Sequence, residues 1–181
     1  CIFQFISSLT GEKPFISGYG EAARYIALRA KKGIVLFDGR YDGNFIFHVR
    51  RYDSNRNLAV LRADKLLYSY MTLKQYGFEE YIEGEDDVYD VLNKYGIRYI
   101  VLEDKNLEGM RSGYILRRTV KSRDFKLIGR FPLRTNIDRC KGMNLLIYEY
   151  LNAGFPREDI LSFKILSLQR EINIPIGLLL K

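Results

Sequence analysis

Residues that serve as metal ligands or nucleophiles are scarce in this 181-residue sequence, which contains one histidine and two cysteines. Cys1 and Cys140 are too few for a disulfide framework, although one pair between them stays arithmetically open, and no CxxC motif is present. The only histidine, His48, lacks the companions that a triad or a zinc site requires, so we interpret it as a structural or surface residue. The sequence therefore predicts no catalytic residues, no metal site built from histidine or cysteine, and no cofactor.

Long apolar runs are also missing. A transmembrane helix needs about 20 mainly apolar residues, and the sequence contains no run of that length. The apolar residues 1–6 are too few for a signal peptide and no basic residues precede them. We interpret residues 1–14 as a lead-in, with the end of a membrane helix as one interpretation of residues 1–8.

The residues that are abundant indicate a folded domain. Hydrophobic residues make up 47% of the chain and aromatic residues 14%, all of them tyrosine or phenylalanine. This apolar content is too high for a disordered segment, and the length suits one domain with a full-sized core.

Helical and strand-like patterns alternate along the first hundred residues. Apolar spacing predicts helices over residues 19–32, 44–52 and 86–95, and short apolar runs predict buried strands over residues 34–37, 58–61 and 99–102. Three such helix–strand units predict a parallel sheet. The fold class is therefore expected to be α/β, a three-layer Rossmann-like sandwich with parallel central strands and an antiparallel C-terminal extension.

The pattern changes in the second half of the chain. A further helix is predicted over residues 112–122, and two antiparallel strands over 125–133 and 144–151. Segments 160–168 and 172–180 are predicted to form a terminal β-hairpin. The expected organisation is an α/β domain over residues 15–152 and a C-terminal β-hairpin extension over residues 153–181.

Charged residues follow each of the predicted parallel strands. Because parallel strands end at the same side of a sheet, where doubly wound folds bind ligands, these residues are candidates for a small-ligand or weak metal site. The candidates are Asp38, Arg40, Asp42, Asp64, Lys65 and Asp104. Residues 38–43, which follow the first predicted strand, match neither the GxGxxG pattern nor a P-loop. The favoured alternative for the charged residues is an ion-pair network that joins the loops. The alternative for residues 38–43 is a tight turn followed by an N-cap, with Gly39 and Gly43 at positive φ.

The net charge of +7 is unevenly distributed. Residues 111–141 contain ten Lys or Arg and two Asp, whereas residues 79–90 contain seven acids and no base. A basic segment suits a phosphate, a membrane surface or a nucleic acid, and its alternative is a solvated face. No RNP, KH or zinc-finger pattern occurs, so nucleic acid is not the expected partner. The candidates for lipid or anion contact are Arg117, Arg118, Lys121, Arg123, Arg130 and Arg134.

Several stretches resemble one class of membrane enzyme. These stretches are residues 18–25 (GYGEAARY), 35–39 (VLFDG), 44–53 (NFIFHVRRYD), 60–65 (VLRADK) and 95–103 (YGIRYIVLE). They look like the soluble C-terminal domain of bacterial GT-C type membrane glycosyltransferases, the broad group of dolichyl-phosphate-mannose protein mannosyltransferases and aminoarabinose transferases. The likeness covers most of residues 15–150.

The resemblance implies an accessory role. In that class a many-helix membrane body carries the catalytic acids, so no position of this chain inherits them. The expected function is that of a non-catalytic, membrane-associated domain at the extracytoplasmic face, which assists engagement of the acceptor or the lipid carrier. Its expected partners are the membrane body of the parent protein or anionic lipid, together with a lipid-linked sugar or acceptor. The alternative is a stand-alone small-ligand or metal-binding α/β protein that uses the acidic residues at the strand ends.

Overall fold

The fold is seen in a computed structural model, which describes residues 13–30, 32–70, 78–105, 109–165 and 170–179. Cys1 and the membrane-helix interpretation of residues 1–8 lie outside these residues. Within the described ranges, no helix combines the length and the apolar character needed to cross a bilayer.

The described elements follow the predicted order closely. The strands are β1 (Ile16–Ser17), β2 (Gly33–Asp38), β3 (Leu58–Arg62), β4 (Tyr68–Tyr70), β5 (Phe78–Glu80), β6 (Ile97–Glu103), β7 (Phe125–Pro132), β8 (Arg134–Thr135), β9 (Asn144–Tyr150), β10 (Ile160–Ile165) and β11 (Arg170–Pro175). The helices are α1 (Tyr19–Arg29), α2 (Asp42–Tyr52), α3 (Ala63–Leu66), α4 (Glu85–Tyr95), α5 (Arg111–Thr119) and α6 (Ile176–Leu179), with a 3-10 helix at Asp138–Cys140.

The main sheet is five-stranded and mixed, so the chain has a mixed α/β fold. Its strand order is β3-β2-β6-β9-β7. Strands β3, β2 and β6 are parallel, whereas β9 runs antiparallel to both β6 and β7. Strands β10 and β11 form the predicted terminal hairpin as a separate two-stranded sheet. Residues 176–179, predicted to extend this hairpin, instead form the short helix α6.

The apolar run of β2 explains why helices cover both faces of the sheet. Successive side chains of a strand point to opposite faces. Ile34 and Leu36 therefore join one core cluster with residues of α4 and α5. Val35 and Phe37 join the second cluster with residues of α1 and α2. A strand buried on both faces is apolar at consecutive positions, which is the pattern that the sequence shows.

Two ends of the sheet are referred to below. The carboxyl end is where β2, β3 and β6 finish, at Asp38, Arg62 and Glu103. The amino end is where β2, β3 and β6 begin, at Gly33, Leu58 and Ile97. Strand β9 also finishes at the amino end, and β7 begins there, as the pairing of Tyr150 with Phe125 shows.

Strand β7 lies at one border of the sheet and is irregular. Its register with β9 shifts between Leu127 and Gly129. The Tyr25 hydroxyl of α1 donates a hydrogen bond of 2.7 Å to the carbonyl oxygen of Ile128 within this bulge. The bulge bends the strand and uses one of its outward backbone groups for contact with a helix.

The segment that leads to the hairpin is packed against the end of α4. The backbone N–H groups of Arg157 and Glu158 donate to the carbonyl oxygen of Lys94, at 3.0 and 3.1 Å. Gly96 ends α4 in the left-handed conformation, with φ of 61°. A Cβ atom at Gly96 would lie 2.8 Å from the ring of Pro156. Both the backbone conformation and the close approach of Pro156 therefore require glycine here.

We predict that Gly96→Ala destabilises the fold more than Gly142→Ala does. Gly142 has a similar φ of 70° but nothing within 4 Å of its Cβ position, so alanine there meets backbone strain of about 1–2 kcal/mol only. At Gly96 the contact with Pro156 adds about 1–3 kcal/mol. Urea denaturation of the two variants measures the difference, and equal losses of unfolding free energy would contradict the packing of residues 153–158 on α4.

Candidate functional site

A buried ion pair lies at the carboxyl end of the sheet. Asp38 is 3% exposed. Its carboxylate accepts hydrogen bonds from the Tyr68 hydroxyl at 3.0 Å and from Nη1 of Arg117 at 2.5 Å. The same guanidinium donates from Nη2 to the carbonyl oxygen of Glu103, at 2.6 Å, and from Nη1 to that of Gly113, at 3.0 Å. One arginine thus joins β2, β6 and α5.

The structure gives Arg117 a different role from the one expected. The sequence groups it with the residues for lipid or anion contact, because it lies in a basic segment. In the structure its side chain is 13% exposed and forms a salt bridge with Asp38. Buried charges need a partner of opposite sign, and Asp38 supplies it. Arg117 is therefore an internal partner of Asp38, not a surface cation.

Glu103 is a second buried carboxylate at the same end. It is fully buried and accepts a hydrogen bond of 2.7 Å from the Tyr19 hydroxyl. The backbone N–H groups of Arg40 and Tyr41 also donate to it, at 3.2 and 3.4 Å. Burial raises the pKa of Glu103. Burial, with the nearby Glu103 carboxylate as a further cause, also raises the pKa of Tyr19.

The glycines of the loop after β2 have another role than the one expected. The chain turns at residues 40–41, but neither Gly39 nor Gly43 is among the glycines with positive φ, so the positive φ predicted for them is wrong. A Cβ atom at Gly39 would lie 2.6 Å from Cδ of Glu103. Gly39 is therefore needed because the backbone passes directly against the Glu103 carboxylate. Gly43 has nothing within 4 Å of its Cβ position.

The more exposed candidates form the ion-pair network that the sequence favoured. Arg62 is its centre, with Nε 2.7 Å from Oδ2 of Asp42 and 2.9 Å from Oδ1 of Asp64. Its Nη2 donates to Oδ2 of Asp64 at 2.6 Å, and Lys65 lies 3.6 Å from the same atom. Sequence reasoning missed Arg62 as the centre, although it is the last residue of β3 and adjoins Asp64 at spacing i, i+2.

Asp104 is separate from this network. Its carboxylate accepts hydrogen bonds from the backbone N–H of Asn144 at 3.0 Å and from Nδ2 of the same residue at 2.8 Å. It therefore joins the end of β6 to the start of β9. The acids at the carboxyl end thus belong to separate bonded groups, and within the described ranges no group of three or more His, Cys, Asp or Glu could hold a metal ion. Ligand binding by these residues stays a prediction.

The exposed candidates of the basic segment are spread over the molecule. Arg118 forms an exposed salt bridge with Glu85. Lys121, Arg123, Arg130 and Arg134 are exposed, and their side chains have no ion pair with any described residue. Lys121 and Arg123 precede β7 at the amino end, whereas Arg130 and Arg134 lie towards the carboxyl end. An eight-residue strand separates the two groups, so residues 111–141 do not form one basic patch.

His48 and Cys140 occupy packed positions. The His48 ring lies 5.4 Å from the ring of Phe47 and 6.4 Å from that of Tyr52. Its Nδ1 is buried without a hydrogen-bond partner among the described residues, close to the Cβ position of Gly20. Cys140 is a buried free thiol whose Sγ lies 3.8 Å from the Tyr41 hydroxyl.

An open groove was not foreseen from the sequence. It has a volume of about 650 Å³ and lies between α4 and the terminal hairpin. Aromatic rings of Tyr81, Tyr95 and Phe163 line it together with acids and lysines, including Asp90 and Lys164. The lining residues come from distant parts of the chain, and no local motif marks them.

We predict that Arg117→Ala destabilises the fold strongly, whereas Arg118→Ala has little effect. Removing Arg117 leaves Asp38 buried without its charged partner, which costs about 3–5 kcal/mol. Arg118 is the adjacent residue and undergoes the same chemical change, but its exposed pair with Glu85 is worth about 0–1 kcal/mol. Chemical denaturation monitored by circular dichroism compares the two. Similar losses would show that Asp38 does not depend on Arg117.

A second prediction concerns the pH dependence of stability. Because burial raises the pKa of Glu103 in the folded state, the folded protein holds this proton more tightly than the unfolded chain, where a glutamate titrates near pH 4.3, about its reference value. The contribution of Glu103 is therefore complete below that pH and declines as the pH rises through the raised pKa. Glu103→Gln should remove this decline, measured by urea denaturation at several pH values, and Glu21→Gln, at an exposed position, should not. Parallel pH profiles for wild type and Glu103→Gln would be the contrary result.

Comparison with known proteins leaves the function to be inferred from these residues. No family model matches the chain, and neither the curated proteins nor the solved structures that were compared with it contain a match.

Proposed function

We propose that this chain is a non-catalytic, extracytoplasmic domain of a membrane glycosyltransferase that uses a lipid-phosphate-linked sugar donor. In this role the domain associates with the membrane and assists engagement of the acceptor or the lipid carrier. The resemblance of residues 18–25, 35–39, 44–53, 60–65 and 95–103 to such domains supports the proposal. We include in it a Rossmann-like, three-layer form of the fold, supported by the parallel strands β3, β2 and β6 and by helices on both faces of the sheet.

The burial and pairing of the acids at the carboxyl end support a non-catalytic role. A general acid or base must reach the proton that it transfers in a substrate. Glu103 and Asp38 are 0% and 3% exposed, and both accept hydrogen bonds from neighbouring protein groups. Asp42 and Asp64 share Arg62. These acids hold loops together, which supports the proposal of a non-catalytic domain.

The observation that carries the proposal is the set of exposed cations without an ion-pair partner among the described residues. Lys121, Arg123, Arg130 and Arg134 belong to it. A surface lysine or arginine near an anionic membrane contributes about 1 kcal/mol to binding. Several such residues together favour association with lipid phosphate, and their attraction weakens as salt screens it.

We expect the chain to sediment with vesicles that contain phosphatidylglycerol and not with vesicles of phosphatidylcholine alone. The expected cause is attraction between the exposed cations and the lipid phosphates, so raising the salt concentration from 50 to 500 mM, about a threefold decrease of the Debye length, should release most of the bound protein. Equal binding to neutral and anionic vesicles would contradict lipid contact through charge.

A further inference from the structure

The amino end of the sheet collects exposed cations from separate parts of the chain. The strands that begin or finish there bring the end of α1, the end of α4, the loop before β7 and the loop after β9 to one side of the molecule. The exposed cations of this side include Arg29, Lys32, Lys94, Arg98, Lys121, Arg123, Lys126 and Arg157. Together with the exposed apolar residues Leu28, Leu151 and Phe155, they are called the amino-end surface.

Direct contacts hold these segments side by side. Glu149 of β9 forms salt bridges with Arg29 of α1, at 3.3 Å, and with Arg98 of β6, at 3.0 Å. Lys126 is the partner of Glu149 in the register of β7 and β9. The backbone N–H of Leu151 donates to the carbonyl oxygen of Asp124 at 2.9 Å, which ties the loop after β9 to the loop before β7.

The acids of this surface do not balance its cations. Glu149 is shared by two arginines. Asp124 accepts hydrogen bonds from the Tyr89 hydroxyl and from Nδ2 of Asn152. Glu158 and Asp159 are exposed next to Arg157. The cations with no ion pair to a described residue are Lys32, Lys94, Lys121, Arg123, Lys126 and Arg157. The surface is therefore positive as a whole, although its residues are far apart in the sequence.

Large apolar side chains project from the same surface. Leu28 is 79% exposed, Leu151 is 56% exposed and Phe155 is 95% exposed. The loop that carries Phe155 is held in place, because Pro156 packs against Gly96 and the N–H of Arg157 bonds to Lys94. Phe155 is thus presented to the outside by a fixed backbone.

We infer that the amino-end surface is the part of this chain that docks on an anionic lipid bilayer, with Leu28, Leu151 and Phe155 entering the headgroup region and the surrounding cations contacting lipid phosphates. This inference rests on the proposed function and specifies its membrane-contacting surface. Apolar side chains surrounded by lysine and arginine are the composition of protein surfaces that lie in the membrane interface. Long basic side chains can keep their charge at the phosphates while apolar neighbours enter more deeply.

The opposite end of the sheet is less suited to this contact. Arg130, Arg134 and Arg139 are exposed there, but the same end carries the Asp138 carboxylate, 92% exposed, which an anionic surface would repel, and Asp42 and Asp64, which already share Arg62. Docking through the amino end turns the carboxyl end, with its acids, away from the bilayer. The parallel strands then point away from the membrane.

The experiment compares two triple variants of equal charge in the vesicle sedimentation assay at low salt. Lys121→Gln/Arg123→Gln/Lys126→Gln removes three positive charges at the amino end and should lower the partition coefficient on phosphatidylglycerol vesicles on the order of a hundredfold, about fivefold for each charge. The matched control, Arg130→Gln/Arg134→Gln/Arg139→Gln, has the same net charge and should lose no more than about fivefold through long-range attraction alone. All six side chains are exposed, so both variants should keep the unfolding temperature of the parent chain.

A second pair of variants tests the apolar contact. Phe155→Ser should lower the partition coefficient about tenfold, because the ring leaves water when it enters the headgroup region. Phe15→Ser makes the same change at an exposed phenylalanine beside β8, at the carboxyl end, and should have no effect.

The possible outcomes distinguish failure of this inference from failure of the proposed function. Binding of the parent chain with equal losses in the two triple variants, or with no loss in Phe155→Ser, overturns the assignment to the amino end and leaves the proposed function standing. Failure of the parent chain to bind anionic vesicles removes both. Displacement of the bound chain from vesicles by an equal concentration of polyuridylate phosphates would instead identify the surface as a nucleic-acid site and overturn the inference.

Discussion

The structure depends on how two buried carboxylates are compensated at the carboxyl end of the sheet. Placing a charge inside a protein is costly unless hydrogen bonds or an opposite charge replace the lost water. Asp38 obtains both from Tyr68 and Arg117, and Glu103 obtains hydrogen bonds from Tyr19 and from the loop after β2. These contacts fix the start of α1, helix α5 and the loop after β2 relative to β2 and β6.

Much of the fold could be predicted from the sequence, because local patterns determine it. The apolar run of β2 and the glycine that ends α4 are visible in neighbouring residues, and the antiparallel second half follows from the change of pattern after residue 111. The partner of Asp38 could not be predicted in the same way, since Arg117 is 79 residues away in the sequence. The need for glycine at position 39 also depends on a distant residue, Glu103.

The charge distribution also could not be predicted from neighbouring residues alone. A window of sequence over residues 111–141 looks uniformly basic, yet it contains one buried arginine and a strand that separates its two ends. The amino-end surface instead combines residues near 29, 98, 123 and 157, whose proximity is created by the strand order. Sequence composition could therefore indicate an anionic partner, but only the topology could indicate which side of the molecule is positive.

The bulge in β7 has a consequence for association between copies of the chain. A border strand with a regular row of free N–H and C=O groups invites another strand to add to it. Here the register shift, the bond from Tyr25 to Ile128, and Lys126, Arg130 and Pro132 interrupt that row. Strand addition at this border is disfavoured, which protects the chain against open-ended sheet growth wherever many copies are concentrated on one surface.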